Sequence, residues 1–123
     1  MRCLVLFVLM CLFCSPSFSQ SNYQQNKAES YTREAENYRK KAEEYRRRAE
    51  YYLKEAENHE RQALSYLSRG DTDRAKLQQR YAKDATDNAN LQLRYAKEAD
   101  DKAAMYLRWA ADALRHPGNN GLL

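Results

Sequence analysis

The chain contains few residues that break helices. It has three glycines and two prolines in 123 residues, and Pro16 and Pro117 lie near its ends. Between the two prolines the only glycine is Gly70. Charged residues make up 31% of the chain, and such a composition with so few breakers is typical of long helices rather than of a mixed globular core. We therefore expect an all-α protein.

The first nineteen residues differ from the rest of the chain. Arg2 is followed by an apolar run over residues 4–13 and by small residues that lead to Ser19. This is the plan of a secretory signal peptide, and the run is shorter than the roughly 20 apolar residues of a membrane-spanning helix. We expect cleavage after Ser19 and export of the protein, which would be secreted or located in the periplasm or cell envelope. An uncleaved anchor is the alternative.

Residue types that carry covalent and metal chemistry are scarce. Cys3, Cys11 and Cys14 all lie within the predicted leader, so the mature chain would have neither a disulfide nor a free thiol. His59 and His116 are the two histidines, and neither belongs to the Glu-x-x-His pair of a di-metal helical bundle. A Cys/His cluster and a glycine-rich phosphate loop are also missing. We expect no enzymatic activity, no cofactor and no metal site.

Alanine and tyrosine alternate along the first half of the chain. From Ala28 to Tyr66 the spacing is three residues from alanine to tyrosine and four from tyrosine to the next alanine. This is a heptad repeat with alanine at position a and tyrosine at position d. His59 takes one of the tyrosine positions, where we expect it to act as a packed aromatic ring rather than as a ligand.

A second heptad, also with alanine at position a, begins at Ala75. If the first frame continued through this segment, charged residues would fall on the seam, so we expect two helices joined by a turn. Gly70 is typical of a helix C-terminus, and Asp71 or Thr72 is suited to cap the next helix. The predicted segments are the signal peptide 1–19, a polar N-terminal segment 20–27, a helix 28–69, a turn 70–72, a helix 73–115 and a flexible tail 116–123.

The two heptads agree on one antiparallel register. When a positions of one helix meet d positions of the other, the residue numbers of every facing pair add to 141, as for Tyr45 with Ala96 or Tyr38 with Ala103. Each large side chain then meets a methyl group, which is how facing layers interdigitate. The sequence therefore predicts a long antiparallel two-helix coiled-coil hairpin with an alanine/tyrosine seam. A parallel oligomer of unhinged helices is the alternative.

Large apolar residues extend beyond this seam on both sides. Leucines occupy e positions on one flank, and aromatic residues occupy g positions on the other. Since a solvated helix pair buries little surface and rarely carries both stripes, we expect the hairpin to assemble into a larger helical bundle. The predicted interaction flank consists of Leu53, Leu67, Leu93, Leu107, Tyr81, Tyr95 and Trp109.

Most of the charge is explained by the helices themselves. Each glutamate at position b of the first helix precedes a lysine or arginine at position f by four residues, which stabilises a helix. Across the hairpin we expect Arg39 to pair with Asp100, and Arg48 to lie against the ring of Tyr95. The formal net charge is +4, and the densest basic patch comprises Arg39, Lys41, Arg46, Arg47 and Arg48.

These features predict an exported, non-catalytic structural or protein-interaction protein. Its expected partner is itself or another helical protein. The alternatives are a small chaperone-like protein that offers its apolar flank to clients, and a peripheral protein whose basic patch contacts lipid or another polyanion. Binding to nucleic acid is not expected, because the interleaved tyrosines are needed within the seam.

Overall fold

The computed structural model describes residues 18–115, with side chains from residue 22 onward. It contains two helices, α1 (Phe18–Ser68) and α2 (Thr72–Arg115), which pack against each other as a hairpin, and no strand occurs among the described residues. The predicted fold class is therefore confirmed. Most of the predicted leader and the whole of the predicted tail 116–123 lie outside the described residues.

α1 begins at Phe18 rather than at residue 28, so the segment predicted to be a separate polar stretch is helical. The physical reason is that residues 20–27 contain neither proline nor glycine, the two residues that most strongly oppose helix propagation. Gln24 lies one heptad before Tyr31 and is 7% exposed. The seam thus begins one layer earlier than the alanine pattern indicates.

The turn between the helices is a Schellman motif followed directly by a capped helix. The amide of Asp71 donates to the carbonyl of Tyr66 (2.9 Å), and the amide of Gly70 donates to that of Leu67 (3.1 Å), which satisfies carbonyls that the end of α1 would leave unpaired. Gly70 has a φ of 77°, a conformation that glycine adopts without steric cost. The side chain of Asp71 then accepts a hydrogen bond from the amide of Arg74 (3.1 Å) and caps α2.

The seam is formed as predicted. Every buried apolar side chain among the described residues is an alanine at a predicted seam position, whereas Ala104 and Ala111, which lie off the seam, are exposed. The tyrosines of α1 at d positions and His59 are half-buried. The buried alanines are Ala28, Ala35, Ala42, Ala49, Ala56 and Ala63 of α1, and Ala75, Ala82, Ala85, Ala89, Ala96, Ala99, Ala103, Ala110 and Ala113 of α2.

Residues Glu34–Met105 form one compact unit. At its centre Ala42, Ala96 and Ala99 make a buried cluster, and the rings of Tyr38 and Tyr45 pack against it. Since an alanine methyl group projects little from the backbone, a tyrosine ring can lie across it and keep its hydroxyl end near solvent. The cluster thus has the large-on-small packing that the register predicts.

The other compact unit includes the described residues 22–33 and 106–115. Here Ala28, Ala110 and Ala113 form a buried cluster with Tyr31 packed against it. The ring of Tyr31 lies 6.2 Å from that of Tyr106 and 5.7 Å from that of Trp109, measured between ring centroids. Three aromatic rings therefore cover this end of the seam.

Two predicted contacts on the flanks are wrong. Asp100 pairs with Arg46, not with Arg39, because side chains on a helix lean toward its N-terminus. That lean carries Arg46 of α1 toward Asp100 and carries Arg39 away from it. Arg48 lies over the ring of Tyr45 at 5.6 Å rather than over Tyr95.

α2 contributes two glutamines to the seam, and their environments differ. His59 Nδ1 donates a hydrogen bond to Gln78 Oε1 (2.7 Å), since an amide oxygen can only accept. Gln92 Oε1 is buried and has no hydrogen-bond partner among the described residues. A buried acceptor without a partner carries an uncompensated desolvation penalty, so the two glutamines are expected to contribute to stability with opposite signs.

Replacing Ala96 by leucine should overpack the seam. Ala96 is 2% exposed and belongs to the buried cluster against which Tyr38 and Tyr45 pack, so the added bulk has no space to occupy and we expect a loss of about 1–3 kcal/mol. Urea unfolding followed by circular dichroism, at one fixed protein concentration, measures this. Ala104→Leu is the matched control, because Ala104 is exposed and should tolerate leucine; equal effects of the two variants would contradict the register.

Methionine at the two seam glutamines should have opposite effects. Gln92→Met removes an unpaired buried oxygen and should stabilise the hairpin by about 1 kcal/mol, whereas Gln78→Met leaves the His59 ring N–H unpaired and should destabilise it by about 1 kcal/mol. The same unfolding measurement tests both variants. The assignment of the two environments fails if both substitutions shift stability in the same direction.

Candidate interaction surface

The leucines of the predicted interaction flank lie at the surface. Leu53, Leu67 and Leu93 are exposed, and Leu107 is half-buried. In the register that brings Arg46 to Asp100, Leu53 of α1 lies opposite Leu93 of α2. The e flank therefore carries an apolar edge that the hairpin itself does not cover.

The aromatic residues of the g flank have a second role that the sequence pattern did not reveal. The rings of Tyr81 and Tyr95 each pack at a tilted angle against a ring of the seam from α1. The ring centroids of Tyr95 and Tyr45 are 5.4 Å apart, and those of Tyr81 and His59 are also 5.4 Å apart. Tyr81 and Tyr95 nevertheless remain 44% and 39% exposed. These rings are thus held in place on one side and open to solvent on the other.

Trp109 is the corresponding residue of the other compact unit. It packs edge-to-face against Tyr31 and, at 5.3 Å between ring centroids, against Tyr106, and it is 43% exposed. Tyr31 and Trp109, with Ala113, Lys27 and Asp112, line a surface hollow.

Two further hollows open on the g flank within residues 34–105. One lies beside Ala85 and the other beside Ala99, and each is walled by the exposed g-position tyrosine of α2. In both places alanine faces alanine across the seam: Ala85 faces Ala56, and Ala99 faces Ala42. Because neither helix supplies a large side chain to these layers, a recess is left between the neighbouring rings. The hollows repeat with the fourteen-residue period of α2.

The hollow beside Ala85 is acidic. Glu55 and Asp84 line it, from opposite helices, with the neutral residues Tyr52 and Asn88. Among the described residues neither carboxylate forms a salt bridge. The partner of Glu55 is the phenol of Tyr51, which donates a hydrogen bond of 2.8 Å, and this bond together with the carboxylate charge raises the pKa of Tyr51. The negative charge of the hollow is therefore not neutralised by a cation.

The hollow beside Ala99 is basic. Lys41 and Lys102, again from opposite helices, line it with one carboxylate, Glu98. Both lysines lie over the ring of Tyr38, with Nζ at 4.8 Å and 5.4 Å from its centroid. Cation–π contacts stabilise each lysine, but the two like charges share one ring. No salt bridge to either lysine forms within the described part of the chain.

The basic patch predicted from sequence is largely paired within the hairpin. Arg46 pairs with Asp100, Arg47 with Glu43 (3.7 Å) and Arg48 with Glu44 (2.8 Å).

Arg39 has no ion pair among the described residues, and Lys41 belongs to the basic hollow. The five side chains of the predicted patch therefore do not present one concentrated positive surface.

Sequence analysis missed the charged hollows, although a signal for them exists. Glu55 and Lys41 both occupy g positions of α1, fourteen residues apart, and the g flank is the side on which the tyrosines of α2 lie. That Glu55 lies beside Asp84, and Lys41 beside Lys102, follows only once the antiparallel register is applied to the positions outside the seam.

Other kinds of site find no support in this part of the chain. Within residues 18–115 no group of histidine, cysteine and carboxylate side chains is arranged to hold a metal ion. Neither of the two helices, over the same residues, has a stretch apolar enough to cross a membrane. Comparison with known proteins gives no match, since no family model, curated protein or solved structure is significantly similar to the chain.

Proposed function

We propose that the protein is an exported structural protein whose hairpins associate with one another through their exposed apolar flanks. The observation that carries this proposal is the contrast between the interior and the surface. No large side chain is fully buried among the described residues, whereas eleven large apolar side chains are exposed. Because the core of the helix pair consists of alanine, the larger apolar side chains remain exposed to solvent.

Association would use that surface. Burying apolar area stabilises a complex at about 25 cal/mol per Å², and a tyrosine or tryptophan that is already held on one side loses little conformational entropy when its other side is covered. Tyr81, Tyr95 and Trp109 are rings of this kind. The predicted signal peptide, most of which lies outside the described residues, motivates the proposal that this assembly occurs after export.

The alternative functions have less support. Binding of lipid or another polyanion through the basic patch is disfavoured by the pairing of Arg46, Arg47 and Arg48 with carboxylates. A chaperone-like role would use the same flanks as self-association, and no feature of the surface favours a foreign client over a second hairpin.

Light scattering over a range of protein concentrations tests the proposal. The mass of the wild-type protein should rise with concentration above that of a monomer. The double variant Tyr81→Lys/Tyr95→Lys should raise the dissociation constant at least about tenfold, since it places charge on an apolar contact. Helicity should be checked by circular dichroism for each variant.

Leu64→Lys is the matched control, because Leu64 is 67% exposed but lies on neither flank. It should leave the mass unchanged. The double variant Leu53→Lys/Leu93→Lys tests the e flank by the same light-scattering measurement of the dissociation constant. A concentration-independent monomer for the wild-type protein would refute self-association.

A further inference from the structure

The g flank of α2 carries its own heptad pattern, separate from the seam. Between Tyr81 and Met105, positions g and c alternate at spacings of three and four residues, and every residue at these positions is exposed or half-buried. On a helix such positions form a continuous strip about 110° from the a/d seam. α2 thus presents a second coiled-coil face at roughly a right angle to the one that packs on α1.

We propose that this strip is an antiparallel two-fold interface with a second copy of the chain, in which the acidic hollow of each copy faces the basic hollow of the other. This proposal rests on the self-association proposed above and assigns its partner, direction and register. In this register the residue numbers of facing positions on the two α2 helices add to 186.

The charges at the hollows select this arrangement. Asp84 of one copy faces Lys102 of the other, and at the same level Glu55 faces Lys41 on the two α1 helices. The two-fold axis forms each of these pairs twice. Four carboxylates and four lysines that find no ion pair in a single hairpin therefore acquire partners. Arg48 falls near the axis, where its own Glu44 already neutralises it.

The apolar residues fit the same register. Tyr81 of one copy meets Met105 of the other, and Leu91 meets Tyr95. Asn88 faces Glu98, so no polar group lies opposite an apolar one. Each tyrosine enters the interface with its inner side already stacked on a ring of α1. Tyr81 and Met105 thus cover the outer side of each Asp84–Lys102 pair, and the polar pair of Asn88 and Glu98 separates it from Leu91 and Tyr95.

Neighbouring registers are worse. A slide of seven residues places Tyr81 opposite Glu98, or opposite Asp112 when the slide is in the other direction. A slide of fourteen residues restores apolar contacts on α2. In one direction, however, it brings Lys41 against Lys41 of the other copy, and in the other direction Glu55 against Glu55. Like charges in contact oppose association and act against a wrong register.

The contact is large enough for a dimer. From Tyr81 to Met105 the strip extends about 36 Å at 1.5 Å per residue. With two helices side by side, about 20 Å in total width, each copy would bury on the order of 700 Å², close to the roughly 800 Å² per partner of a standard stable interface. The product is a four-helix bundle.

Reversing one charge and then its partner tests the register. Lys102→Asp should raise the dissociation constant at least about tenfold, because it places two carboxylates together at two sites of the dimer. The double variant Asp84→Lys/Lys102→Asp exchanges the charges and should return the dissociation constant to within about threefold of the wild-type value. Lys83→Asp, at an exposed position outside the strip, is the control and should have no effect.

Distances between spin labels test the direction. In a background with Cys3, Cys11 and Cys14 replaced by serine, a single cysteine at Lys83 should give about 30 Å between the two copies, and one at Lys76 about 50 Å. Both sites are exposed and lie on the same face of α2, seven residues apart. A parallel dimer would give equal distances at both sites, and a slide of fourteen residues would shift both by about 20 Å.

The outcomes separate this inference from the proposed function. If the protein associates but the double variant does not recover, or the two label distances are equal, the interface is wrong and self-association stands. If the wild-type protein is a monomer at every concentration, both proposals fail.

Discussion

The close approach of two helices over alanine is the constraint on which the structure depends. An alanine methyl group is small enough to let the backbones come near, and each seam position that holds alanine obliges the facing position to hold something larger or to leave a gap. In most layers a tyrosine, a histidine or a glutamine fills the space. Where alanine faces alanine, as with Ala42 and Ala99, the gap remains and becomes a hollow at the surface.

The same constraint limits what the hairpin can bury. A tyrosine ring that lies across a methyl group is covered on one face by that group, but its other face is not enclosed. The seam tyrosines are therefore half-buried. The exposed rings of α2 partly compensate, because they stack on the seam rings from outside. Large apolar side chains nevertheless remain at the surface after both helices are packed, and these exposed side chains are the physical basis of the proposed self-association.

The heptad pattern was sufficient to predict the seam. Two independent periodicities had to agree on one antiparallel register, and each seam alanine then lies where that register places it. Contacts outside the seam were less predictable because they depend on the direction in which a side chain leans. By residue number Arg39 is nearer than Arg46 to the level of Asp100, and the lean of side chains toward the helix N-terminus reverses this order. The start of α1 was missed because SNYQQNK carries no apolar period, although nothing in it stops a helix.

The fourteen-residue period of α2 connects these features. In the unit 34–105, one period sets Ala85 and Ala99 opposite alanines, places Tyr81 and Tyr95 at the rims of the resulting hollows, and separates Asp84 from Glu98 by the same interval. The seam itself requires only a seven-residue repeat. A period twice as long is not needed to pack α2 on α1, although in the seam it alternates alanine with glutamine or tyrosine at position d of α2. It does have a consequence on the outer strip, where it makes adjacent heptads differ in charge and size. In the proposed dimer this difference distinguishes the correct alignment from one displaced by a single heptad, which a uniform seven-residue repeat would not do.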